Sequence, residues 1–154
     1  MDRSAVMRRV KGRDTAPERR VRAMLRAAGL TGYRLHRRDL PGRPDIAFVG
    51  RRAAIFVHGC FWHGHDCRRG ARAPKANAAY WTAKIARNRA RDAAAAEALR
   101  ERGWRVFTVW ECAVRDHDLP DRLAGWVRSA GAPPRQGGGA PKIDTIIWMT
   151  KLKA

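Results

Sequence analysis

The chain has 154 residues, 45% of them hydrophobic, and 33 Lys and Arg against 14 Asp and Glu, for a formal net charge of +19. That length suits one domain around one core, and the apolar content excludes a disordered basic tail protein. No apolar run reaches the roughly 18–20 residues of a membrane span and no apolar signal core opens the chain, so a cytoplasmic protein with a polyanionic partner, nucleic acid before membrane, is expected.

Residues 1–14 are polar and basic without a period and read as an arm. Thr15-Ala16-Pro17-Glu18 fits a helix start, with Thr15 as N-cap, Pro17 in the first turn and Glu18 as capping-box partner. Val21, Met24, Leu25 and Ala28 follow at helical spacing, and Gly29 supplies the stop. After the turn residues Leu40-Pro41-Gly42-Arg43-Pro44, the run Asp45–Val49 reads as a strand, Gly50–Arg52 as a turn and Ala53–His58 as a second strand. Both are nearly all apolar, as strands covered on two faces are. A loop dense in His, Cys, aromatic and basic residues fills 59–76. A long Ala/Arg helix from about Ala78 to Arg102, a strand at Trp104–Trp110 and a helix from about Asp121 to Ser129 complete the pattern. Residues 131–142 are linker-like and the last dozen residues form a tail. The order helix, hairpin, helix, strand, helix predicts an α/β domain over 15–130, with one mixed sheet between helices.

Three cysteines make a poor disulfide set, because the count is odd and the expected compartment is reducing. Cys60, His65 and Cys67 lie within eight residues, and Cys112 follows the Trp104–Trp110 strand. These four make a tetrahedral donor set of the type that structural Zn²⁺ requires, with His63 an alternative to His65. In the hairpin, a tip at Gly50–Arg52 pairs residues whose numbers sum to about 101–102, which sets Asp45 opposite Phe56 or Val57 and next to His58. A carboxylate and an imidazole then share one sheet edge. Asp45 could serve Mg²⁺ with waters and substrate phosphate, while His58 and His63, ordinarily titrating near 6.5, could move protons. Glu18 reads first as the capping-box residue. A zinc-stapled DNA-binding module without catalysis explains the charge and the Cys/His loop equally well, but not Asp45 opposite His58.

Leu40-Pro41-Gly42-Arg43-Pro44-Asp45, the stretch Ile55 to His63, and Gly103-Trp104-Arg105-Val106 with Val109-Trp110-Glu111-Cys112 resemble the very-short-patch (Vsr) mismatch repair endonucleases. Asp14–Glu18 and Asn88…Arg91-Asp92 fit the same pattern, which covers about residues 5–128 in order. The resemblance implies a restriction-endonuclease-like fold with a structural zinc, and an enzyme that nicks one DNA strand at T:G mismatches left by deamination of 5-methylcytosine, using Mg²⁺. It implies that Asp45 binds the metal, that His63 transfers protons, and that His58 and Glu18 support the catalytic water. Cys60, His65, Cys67 and Cys112 match the zinc set. Phe61, Trp62 and Trp81 match aromatics that wedge into DNA beside the mismatch, and Met7 matches a residue of the arm approaching from the opposite groove. Val57 stands where some members have Thr, which preserves a main-chain carbonyl ligand and no hydroxyl role. The Glu-x-Lys signature of many nucleases is missing, as in that family. A monomer acting on double-stranded DNA, with mismatch repair proteins as partners, is the expectation.

Overall fold

The computed structural model describes residues 12–72 and 74–129; Met7, most of the expected arm and the 131–154 tail lie outside the described residues. The first element, α1 (Ala16–Ala27), begins as its sequence dictates. Glu18 N–H donates to Thr15 Oγ1 at 3.4 Å, and the Glu18 carboxylate accepts from Asp14 N–H at 3.0 Å, so two otherwise orphaned amides are satisfied.

The sheet runs β1 (Arg34–Leu35), β2 (Ile46–Phe48), β3 (Ala53–His58), β4 (Arg105–Trp110), in that spatial order. The first two junctions are antiparallel and β3 pairs with β4 in parallel. The parallel junction needs a long crossover, which α2 (Ala78–Glu101) provides. The last element is α3 (Leu119–Ser129).

Side chains alternate across the sheet and build two cores. Ile46, Phe48, Ala53, Ile55 and Val109 pack with Val21 and Leu25 of α1 and with Leu119, Leu123 and Val127 of α3. Ala47, Ala54 and Phe56 pack on the opposite side with Leu40 and with Leu99 of α2. This two-sided burial is why β2 and β3 are apolar at successive positions.

Three details depart from the sequence pattern. Two-residue β1 carries no apolar period and both its residues are exposed, so nothing in its composition announces an edge strand. Val49 does not extend β2; it opens a 3₁₀ turn, Val49–Arg51, and Arg52 takes a left-handed conformation before β3. The last helix starts at Leu119, two residues before Asp121, because Leu119 is itself a core residue and Pro120 suits a first turn. Among the described residues, no helix is long and apolar enough to cross a membrane.

Candidate active site

The hairpin register is Ile46 opposite Ile55 and Phe48 opposite Ala53, so the pairing continues to Asp45 beside Phe56 and Val57. Asp45 Oδ2 accepts the Val57 N–H at 2.7 Å, which holds the carboxylate against the end of β3. Burial pushes the Asp45 carboxyl up to about 7; the Val57 amide opposes this, the nearby Glu18 carboxylate adds to it, and the charge of His63 opposes it again. Glu18 itself is buried, held both by its capping contacts and beside His36, with His36 Nε2 3.5 Å from Glu18 Oε2. The other nitrogen of that ring, Nδ1, lies 3.8 Å from Asp45 Oδ1. Glu18 therefore combines its capping role with a place facing Asp45.

His58 and His63 stack face to face, with ring centroids 3.9 Å apart and planes 3° from parallel. Burial, reinforced by the His63 charge, pushes His58 down to about 4 against the pull of Asp92. His58 thus stays neutral down to acid pH, where the ordinary imidazole expected from sequence would be charged. His63 Nδ1 is 2.5 Å from Asp92 Oδ2, a carboxylate on α2. That contact favours hydrogen on Nδ1 and leaves Nε2 as the free acceptor.

Asp92 and His36 carried no role from sequence reasoning. A signal existed for Asp92: Trp81, Ile85, Asn88, Asp92, Ala95 and Leu99 recur at helical spacing and form the less exposed stripe of α2. Two polar residues on that stripe mark contacts. Asn88 indeed donates from Nδ2 to the Trp62 carbonyl at 2.8 Å, anchoring the loop to the helix. For His36, in the basic stretch Arg34–Arg38, no local pattern signals a role.

The four sulfur and nitrogen donors of Cys60, His65, Cys67 and Cys112 lie within 4.8 Å of one another, and His65 rather than His63 completes the set. Cys112 Sγ and His65 Nδ1 are 3.6 Å apart. Burial and neighbouring thiols push Cys112 up to about 12, while hydrogen bonds from His65 and Gly70, working against burial, hold Cys67 down to about 6. Three crowded thiols cannot ionise together unaided, whereas a thiolate-preferring cation would favour their ionised forms. The loop turns so tightly that a Cβ on Gly70 would lie 1.8 Å from the His65 carbonyl oxygen, so this position admits only glycine.

Phe61, Trp62 and Trp81 form a mutual cluster with centroid separations of 5.4–5.7 Å. Tyr80 joins at 5.2 Å from Trp81 and is half exposed. Lys84 Nζ lies over Trp62, Tyr80 and Trp81 at 5.5–5.8 Å, a cation–π contact with three rings. The aromatic cluster is carried between the thiol loop and α2, adjoining His63 in sequence.

A mixed four-stranded sheet between helices, with carboxylates and stacked histidines at one strand end, is the architecture of an α/β nuclease. Residues 1–69 match the family model for DNA mismatch endonuclease Vsr. The chain is 51% identical over 114 residues to the type II nicking enzyme V.XorIIP of Xanthomonas oryzae pv. oryzae, spanning 74% of this chain and 82% of that protein. It is 42% identical over 136 residues to DNA mismatch endonuclease Vsr of Escherichia coli K12, spanning 84% and 86%. The type II nicking enzyme V.NmeAIP of Neisseria meningitidis is 38% identical over 127 residues, 82% of this chain and 89% of it. The chain belongs to the Vsr family of DNA mismatch endonucleases, phosphodiester hydrolases.

Proposed function

We propose that this protein nicks the T strand of duplex DNA at T:G mismatches produced by 5-methylcytosine deamination, with Mg²⁺ at Asp45 and structural Zn²⁺ in the Cys/His loop. The observation that carries the reading is the half-buried Asp45 carboxylate, tied to Val57 and within reach of the His63 charge, beside the stacked His58–His63–Asp92 group. A carboxyl raised to about 7 by burial beside a second carboxylate has an ionised form that the protein alone compensates poorly, which suits a hard divalent cation. Asp45, the Val57 carbonyl and substrate phosphate oxygens would hold it. When bound, Mg²⁺ supplies charge stabilisation at the scissile phosphate.

The remaining chemistry falls to the chain. His63 takes a proton from the attacking water at Nε2, and Asp92 holds Nδ1 so that the ring stays aimed and its positive charge is compensated. As water oxygen bonds to phosphorus, the opposite phosphorus–oxygen bond breaks, the departing oxygen takes a proton from a solvent water, and His63 returns its proton to solvent. His58 remains neutral and presses flat on His63, limiting its rotation.

Zinc would be held by Cys60, His65, Cys67 and Cys112, whose donor atoms already lie within 4.8 Å of one another, and would fix the loop. The staple would fix Phe61 and Trp62 relative to His63, so a wedge inserted at a weakly stacked T:G step also aligns the chemistry. Exposed arginines of α2, Arg87, Arg89 and Arg91, would position phosphates.

The test is strand-resolved nicking of T:G, T:A and C:G duplexes with and without Mg²⁺. Cleavage confined to the T strand of the T:G duplex and requiring Mg²⁺ is expected. Asp45→Ala and His63→Ala should fold and bind that duplex without nicking it; full nicking by either removes the proposed centre.

A further inference from the structure

His36 lies between two carboxylates from different parts of the chain, Glu18 of α1 and Asp45 just before β2. Its side chain is 20% exposed, with Nε2 3.5 Å from Glu18 Oε2 and Nδ1 3.8 Å from Asp45 Oδ1. Its backbone N–H donates to the Asp45 carbonyl at 3.2 Å, so the main chain holds it against that residue with the ring alongside. The backbone at His36 has φ of 49°, in the left-handed region, which is strained for a residue with a Cβ. Nε2 is buried without a hydrogen-bond partner among the described residues, a further cost. A strained backbone and an unsatisfied nitrogen, both at one position facing the two carboxylates, are poorly explained by packing.

We infer that His36 is a positioning residue for the cation site: its ring lies between the two carboxylates, Nε2 facing Glu18 and Nδ1 facing Asp45, and holds them as a convergent pair. Removing the ring leaves Glu18 tethered only by the cap of α1 and Asp45 only by the Val57 amide of β3. Residues that orient metal ligands in this way cost about 10–100-fold in metal affinity when replaced. This inference rests on Asp45 being the cation ligand.

The experiment compares wild type, His36→Asn, His36→Gln and Asp45→Asn. Asn tolerates the left-handed backbone but is too short to span both carboxylates, while Gln keeps a longer reach and one donor group. Mn²⁺ binding is measured without DNA by the loss of the free-ion electron paramagnetic resonance signal, after Zn²⁺ saturation. Nicking of the T:G duplex is then titrated with Mg²⁺. His36→Asn is expected to weaken Mn²⁺ binding about tenfold, to raise the Mg²⁺ needed for half-maximal nicking in proportion, and to regain most of the rate at saturating Mg²⁺. His36→Gln should lie between it and wild type. Unchanged Mn²⁺ affinity in folded His36→Asn, or a rate that saturating Mg²⁺ leaves low, overturns the inference; if His36→Asn loses its fold, the same two readouts on His36→Gln decide. Asp45→Asn separates the levels. If it abolishes Mn²⁺ binding while His36→Asn does not weaken it, only the role of His36 fails, whereas unchanged binding in Asp45→Asn removes the cation site itself.

Discussion

Replacing Asp45 by Asn should make the cation-free protein more stable while destroying its activity, and the size of the gain follows from the site. The carboxyl is raised from an ordinary value of 3.8 to about 7, chiefly by burial. Between those two values the folded state keeps a proton that the unfolded state has lost, so wild-type stability falls as pH rises through that window and levels off above about 7. At 1.36 kcal/mol per pH unit the full effect is about 4 kcal/mol, and relaxation around a side chain that retains 18% exposure lowers the expectation to about 2. Asn keeps an oxygen to accept the Val57 amide but never ionises. Urea unfolding in chelator that spares Zn²⁺, at pH 4 to 9, should therefore show two curves that nearly meet at pH 4 and separate by about 2 kcal/mol above pH 7. Adding millimolar Mg²⁺ at pH 8 should close the gap by stabilising wild type alone. Parallel curves at every pH, or equal stabilisation of both proteins by Mg²⁺, would refute the picture of Asp45 as a strained, cation-seeking carboxylate.

Asp92→Asn, which removes the charge facing His63 Nδ1, should lower the nicking rate about 10- to 100-fold and leave duplex affinity unchanged, measured by single-turnover cleavage beside fluorescence anisotropy. Gly70→Ala forces a Cβ into the His65 carbonyl and should cost more than about 2 kcal/mol of stability together with the bound zinc, read by thermal melting and elemental analysis. Trp62→Ala should cut the binding preference for T:G over T:A duplex, measured by fluorescence anisotropy; an unchanged preference means the wedge lies elsewhere. Arg87→Gln, on the exposed side of α2, should reduce the salt slope of duplex binding by about one and spare the mismatch preference.

Much of this molecule is legible residue by residue. The capping box, the apolar hairpin and the Ala-rich helix each advertise themselves through local chemistry: Thr15 and Glu18 satisfy amides within one turn, and Ile55 and Phe56 are apolar because both sheet faces are covered. Even the meeting of Asp45 with β3 was accessible, because hairpin pairing is arithmetic once the tip is placed. The Cys/His loop was equally readable, since three of its donors are close in sequence. Less was visible where a residue acts through a neighbour remote in the chain. His36 owes its place to an edge strand of two exposed residues, and Asp92 to the rotational phase of a long helix whose Ala and Arg content blurs its buried face.

Charge and composition sufficed to name a polyanionic partner, and the motif order sufficed for the family, because both depend on residue identity alone. Protonation and pairing depend instead on what surrounds a group. Only the packed structure makes His58 neutral by burying it against His63, lifts Asp45 by enclosing it near Glu18, and selects His65 over His63 for the thiol cluster. Desolvation and Coulomb energies are set by distances between side chains that the chain brings together from far apart, and no local pattern encodes them.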